Sequence, residues 1–183
     1  MIIDSTPLKV LTHFFDDPYQ ETYLRELARR INLSIYSAKI AADQLVREGL
    51  LLERREGRLR YLKANTGNLF FKHLKIAFNV KKILESRLTE QLIENIPATS
   101  SIILYGSWAK GENDYKSDID ILVIGQRPNR IDASGLETLL GQGLELTVLR
   151  WSEWRRKSVT DKAFYIEIIT SGIALHGYLP VVE

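Results

Sequence analysis

The chain contains no cysteine. Disulfide scaffolds, thiolate zinc sites and cysteine nucleophiles are therefore excluded. Its three histidines, His13, His73 and His176, lie far apart, so a histidine-rich metal cage is not expected. No apolar run approaches the ~20 residues that a membrane-spanning helix requires. Residues 1–15 carry Asp4, Lys9 and His13 in place of a signal-peptide core. We therefore expect a cytoplasmic protein with no membrane partner. Internal repeats and low-complexity tracts are lacking as well. What remains is an ordinary globular composition, 45% hydrophobic and 26% charged over 183 residues. That length suffices for one domain or two small ones.

Charge of one sign is also scarce, with a formal net of +2. It is unevenly spread. Residues 1–65 hold 11 Lys and Arg against 9 Asp and Glu, whereas residues 98–183 hold 9 against 11. A basic front and a mildly acidic back suggest two units with different partners.

The front reads as three helices and a hairpin. Thr6-Pro7 opens the first, in which Leu8, Leu11, Phe14 and Phe15 recur at helical spacing. Glu21–Ile31 forms the second, and Ser34 caps a third from Ile35 to Glu48 that stops at Gly49. Extended runs at Leu50–Arg54 and Leu59–Lys63 flank the turn Arg55-Glu56-Gly57-Arg58. This pattern resembles a winged helix-turn-helix. The resemblance implies a third helix that enters the major groove of double-stranded DNA and presents Ser34, Tyr36, Ser37 and Lys39. It also implies a wing whose Arg54, Arg55, Arg58 and Arg60 reach the phosphate backbone or a minor groove. Such modules commonly act as dimers, so a homodimer is expected.

Residues 68–96 contain no Gly or Pro and carry an apolar stripe that includes Phe70, Leu74, Ala77, Leu88 and Leu92. We read one long connecting helix, or two with a kink, ended by Pro97. The back then reads β-α-β-β-α. Its strands fall at Ser101–Tyr105, Ile119–Ile124 and Leu144–Leu149, and its helices at Ile131–Leu140 and Lys162–Gly172, with a last short extended segment at Ile173–Leu175. Trp151, Trp154 and Arg155-Arg156-Lys157 read as a packed turn with a solvated face.

The stretch richest in chemistry is Tyr105–Val123, YGSWAKGENDYKSDIDILV. A strand ends in Gly106-Ser107, whose exposed N–H groups and hydroxyl can cradle phosphate. Gly111 permits a tight exit. Asp118-Ile119-Asp120 opens the next strand, and alternation puts the two carboxylates on one face. Paired hard oxygen donors suit Mg²⁺, which also bridges substrate phosphates. Such a cradle beside such a pair is what metal-assisted nucleotidyl or phosphoryl transfer needs.

Gly106, Ser107, Gly111, Ser117, Asp118 and Asp120, at this spacing, resemble the DNA polymerase β-like nucleotidyltransferases, within them the small minimal type. The resemblance implies a mixed β-sheet with helices, and transfer of a nucleoside monophosphate, AMP in the favoured case, from an NTP (favoured as ATP) to a hydroxyl. Gly106, Ser107, Lys110, Gly111 and Ser117 would bind nucleotide. Asp118 and Asp120 would bind metal in a two-Mg²⁺ site. A third carboxylate, catalytic and metal-binding, falls on Glu145, where relatives usually have Asp. It further implies a helical, toxin-like protein partner.

The expected fold is thus α+β: a winged helix-turn-helix at 1–65, a connecting helix at 66–97 and a nucleotidyltransferase domain with a mixed sheet at 98–183. The alternative is a DNA-binding regulator whose second domain senses nucleotide without turnover.

Overall fold

The computed structural model describes residues 5–128 and 141–182. The chain divides into two compact units, Met1–Phe78 and Asn79–Glu183. Helices and sheets occur in both, a mixed α+β architecture.

In the first unit, α1 (Thr6–Asp16) begins where the Ser5 hydroxyl accepts from Leu8 N, with Pro7 in the first turn. A two-residue strand, β1 (Thr22–Tyr23), precedes α2 (Leu24–Arg30). Helix α3 (Ile35–Arg47) is capped by Ser34, whose hydroxyl accepts from Ser37 N at 3.0 Å. Strands β2 (Leu51–Glu56) and β3 (Leu59–Ala64) pair antiparallel, and β1 adds to the other side of β3. Val10, Phe14, Leu27, Ala42, Leu45 and Leu62 meet in one core. Helix α4 (Leu69–Glu85) contributes Phe71 to that core. It also buries Lys75, whose ammonium donates to the Phe15 carbonyl at 2.5 Å.

In the second unit, α5 (Leu88–Asn95) follows α4 after a break at Arg87, which sits at φ 60°. The single apolar stretch is therefore two helices. Strands β4 (Ser101–Tyr105), β5 (Ile119–Ile124), β6 (Leu144–Leu149) and β7 (Ile173–His176) form a sheet of order β6-β5-β4-β7. β5 and β6 run parallel, and the other pairs antiparallel. Both faces are covered, which explains why β4 is buried at every position and apolar at all but Ser101. Ile102, Leu104, Ile119, Ile121 and Val123 pack with Ile83, Leu88 and Leu92 on one face. Ile103, Tyr105, Leu122 and Leu149 pack with Trp154 and Ile168 on the other.

Trp154 lies in α7 (Trp151–Thr160), and Ile168 in α8 (Lys162–Ser171). The segment around Trp151 is thus a ten-residue helix and not a turn. Trp154 is buried, while Trp151, Arg155 and Arg156 face solvent. The helix expected at Ile131–Leu140 lies entirely within residues 129–140, outside those described.

Candidate active site

The sheet register assembles the acidic groups. Strand alternation gives Asp120 to the face that α7 and α8 cover, because its neighbours Ile119 and Ile121 belong to the opposite core. Its Cα pairs with Tyr105 on β4 and with Glu145 on β6. Leu144 and Leu146 pack on the opposite core, so Glu145 shares the face of Asp120. Asp118 stands just before β5, where Ile119 N donates to Gly143 O at 2.8 Å. Asp118 and Glu145 are exposed, and Asp120 is half-buried.

Two glycines make room for the aspartates. A Cβ on Gly106 would lie 2.1 Å from Asp120 Oδ2, and one on Gly143 would lie 2.0 Å from Asp118 Oδ1. Gly106 also holds φ +65°, which L residues with side chains rarely adopt. Ser107 follows within α6 (Gly106–Lys110), a single short helix that Gly111 closes. Its carbonyl accepts from Glu112 N at 2.9 Å. Ser117 works inward. Its hydroxyl accepts from Asp114 N and donates to Asp114 Oδ1, both at 3.0 Å.

Electrostatics mark Asp120 out. Its carboxyl is pushed up to about 6, first by burial and then by the negative charges of Glu145, Asp118 and Glu167. Glu167, on α8, was not foreseen from the sequence. It forms an ion pair with Lys110, so the ammonium expected at phosphate is here held by a carboxylate. The Tyr105 hydroxyl is likewise pushed up by burial, although a hydrogen bond to Thr147 opposes this.

The donor set fits a hard divalent cation. It consists of carboxylate oxygens in register on neighbouring strands, seated against glycines and destabilised by mutual repulsion that a cation would relieve. Among the described residues no three His, Cys, Asp or Glu side chains already converge as a metal cluster. A cavity of about 530 Å³ lies at the far end of the same strands, beside Ile124, Gln126, Arg150 and Trp151. It holds none of these acids.

The residues of the first unit singled out for DNA are differently placed. Tyr36 and Lys39 are exposed on α3. Ser34 and Ser37 share a hydroxyl–hydroxyl bond of 2.8 Å at its cap. Arg54 is held by Glu21 and Glu56, and Arg60, only 11% exposed, by Asp43 and Glu53. Arg55 approaches Glu53 at 4.0 Å. Arg58 is exposed beside Gly57 at the hairpin tip. No described helix is long and apolar enough to cross a membrane.

Sequence reasoning also missed Gly143 and Asn79. Gly143, directly before a strand, carried a readable signal, namely glycine where backbone and side chain approach closely.

Among curated proteins no match is found. Solved structures that the chain matches include a toxin-antitoxin with AMP-PNP, 25% identical, covering 55% of this chain and 74% of that one, TM-score 0.39. A mutant of the toxin-antitoxin MntA-HpeT is 23% identical over 51% of this chain and 73% of that one, TM-score 0.40. Likeness at this level assigns neither partner nor substrate. The family model "Nucleotidyltransferase domain" is different in kind. It matches residues 80–171, half of the chain, from α4 through the last residue of α8. It thus takes in the glycine turn, the aspartate pair, Glu145 and Glu167, and by this match the chain belongs to the nucleotidyltransferase domain family.

Proposed function

We propose that the second unit transfers a nucleoside monophosphate, AMP from ATP, onto an acceptor hydroxyl in a Mg²⁺-dependent reaction. The observation that carries the reading is the register that sets Glu145 beside Asp120 at the strand end nearest Gly106-Ser107. The acceptor oxygen forms a bond to the α-phosphorus, the bond from that phosphorus to the bridging β-oxygen breaks, and pyrophosphate leaves. Glu145 takes the proton of the acceptor hydroxyl. Asp118 and Asp120 would hold Mg²⁺, with Glu145 completing the set. When bound, Mg²⁺ supplies charge neutralisation for the triphosphate and the leaving oxygen. The Gly106-Ser107 turn binds the terminal phosphates through backbone N–H groups and the Ser107 hydroxyl. Gly111 lets the chain turn away from the phosphates, and Ser117 braces the approach to Asp118 through Asp114. Lys110 exchanges Glu167 for phosphate when nucleotide enters.

The first unit we read as a winged helix-turn-helix that binds double-stranded DNA. Its support is the order of three helices and an antiparallel hairpin, with Tyr36 and Lys39 exposed on α3 and Arg58 at the hairpin tip. Ser34 and Ser37 would contribute through the helix cap, and Arg54, Arg55 and Arg60 would contact DNA only by exchanging their carboxylates. In this reading the domains are 1–65, 66–97 and 98–183, the protein is a cytoplasmic homodimer, and a helical toxin-like protein supplies the acceptor.

Incubation with ATP labelled at the α-phosphate, Mg²⁺ and cell extract tests the enzyme. Label should appear on an acceptor and vanish with Asp118→Ala or Asp120→Ala. Nucleotide binding without any labelled acceptor would instead favour the regulator whose second domain only senses nucleotide.

A further inference from the structure

Residues 106–118 must keep two things in register: the turn at Gly106-Ser107 and the carboxylates that begin at Asp118. Within this loop the contacts of Trp108 span that distance. Its backbone directly follows Ser107, and its indole Nε1 donates to the Ser117 carbonyl at 3.2 Å, one residue before Asp118. The Trp108 ring packs in the core with Ile83 and Leu88, and its backbone is held by an amide from outside the loop. Asn79 Nδ2 on α4 donates to the Trp108 carbonyl at 2.9 Å and to Asn113 Oδ1 at 2.8 Å. Asn79 is 2% exposed and Asn113 3%.

The polarity of this arrangement is unambiguous. A backbone carbonyl can only accept, so Asn79 must turn its NH₂ towards Trp108, and Asn113 must then offer its oxygen. Both Nδ2 hydrogens are used. Gly111 N also donates to the Trp108 carbonyl, at a long 3.4 Å. Asn79 is thus the shorter-range partner of the Trp108 carbonyl, in a residue that is itself 2% exposed. Asn79 also lies one residue ahead of the matched family segment, which begins at residue 80.

We propose that Asn79 is a positioning residue for nucleotidyl transfer. Through Trp108 and Asn113 it sets the spacing between the phosphate turn and the Asp118/Asp120 pair. The inference rests on the nucleotidyltransferase reading of those groups. Phosphate contacts made by the turn alone do not need this spacing. A cation held by Asp118 and Asp120 would act on bound nucleotide only at this spacing, because a displacement of about 1 Å already removes most of such an effect.

The test measures binding of a fluorescent, non-hydrolysable ATP analogue to the full chain in EDTA and in Mg²⁺. In the wild type Mg²⁺ should tighten binding. In Asn79→Ala this gain should fall tenfold or more while affinity in EDTA stays within twofold. Amide exchange across 106–118 should quicken. Asn113→Ala, which leaves the Trp108 carbonyl paired, should fold and show the same loss in milder form, and the double variant should be no worse than Asn79→Ala. An unchanged Mg²⁺ gain in folded Asn79→Ala overturns the inference and leaves the enzyme reading intact. Unfolding of both single variants assigns the amides to stability alone and also overturns it. A wild type that binds no analogue in either condition removes the enzyme reading, and this inference with it.

Discussion

Asp120 occupies the space that a side chain on Gly106 would need, its Oδ2 lying 2.1 Å from the position of that absent Cβ. The glycine is therefore a requirement of the carboxylate as much as of the turn. Gly106→Ala should combine a left-handed strain of about 1–2 kcal/mol with displacement of Asp120. Thermal melts should show the first and label transfer, reduced at least a hundredfold, the second. Gly57→Ala is the control. Gly57 holds a similar φ of +57° with nothing within 4 Å of its Cβ position, so it should lose stability and keep transfer.

The raised Asp120 carboxyl gives a pH signature. Its folded value of about 6 exceeds the 3.8 usual for an aspartate, so ionisation costs the folded state more than the unfolded one. The stability associated with the neutral acid is complete below about pH 4 and is lost as pH rises through 6. Without metal, the melting temperature of the wild type relative to Asp120→Asn should fall between pH 4.5 and 7.5 and then level off. Added Mg²⁺ should raise the wild type selectively at pH 7.5. A difference independent of pH would show that Asp120 feels no such environment.

Glu145 is exposed at the edge of the cluster, in register with Asp120. As proton acceptor it should be worth about 10²–10⁴ in rate. Glu145→Gln should lose transfer by that order while binding nucleotide within a fewfold of the wild type. Glu145→Asp should retain most transfer. Equal rates in wild type and Glu145→Gln would remove Glu145 from the chemistry.

The arginines of the hairpin should separate into two kinds. Arg60 bridges Asp43 and Glu53 at 2.6 and 2.7 Å, so Arg60→Ala should destabilise the first unit by about 1–2 kcal/mol in urea melts. Arg58→Ala should leave stability unchanged. On duplex DNA it should weaken binding and reduce the slope of log affinity against log salt by about 0.9. An unchanged slope would place Arg58 off the DNA.

The strands of the site were legible because apolar residues recur along each at strand spacing between clear boundaries. Ile119–Ile124 was read with the same limits the structure shows, since Asp118 and the following Gly125 punctuate it. Gly106, Asp118 and Asp120 were legible because glycine and paired acids are costly without a purpose. Strand β1 was not, as two residues carry no periodicity. Helix α7 was hidden by polar and charged residues that outnumber its one buried anchor, Trp154. Glu167 and Asn79 were invisible for a different reason. Their roles depend on what lies across a tertiary contact, and a helical Glu or Asn looks the same on paper wherever it points.

The pairing of β5 with β6 sets an order of assembly. β4 and β5 are neighbours in sequence and zip together as an antiparallel pair, which brings Asp120 beside Tyr105. Glu145 arrives only after the chain has travelled from the end of β5 at Ile124 back to Leu144 and closed a parallel, non-local contact. Such contacts are slow to form. A growing chain on the ribosome would therefore have its aspartates beside β4 before Glu145 could join them.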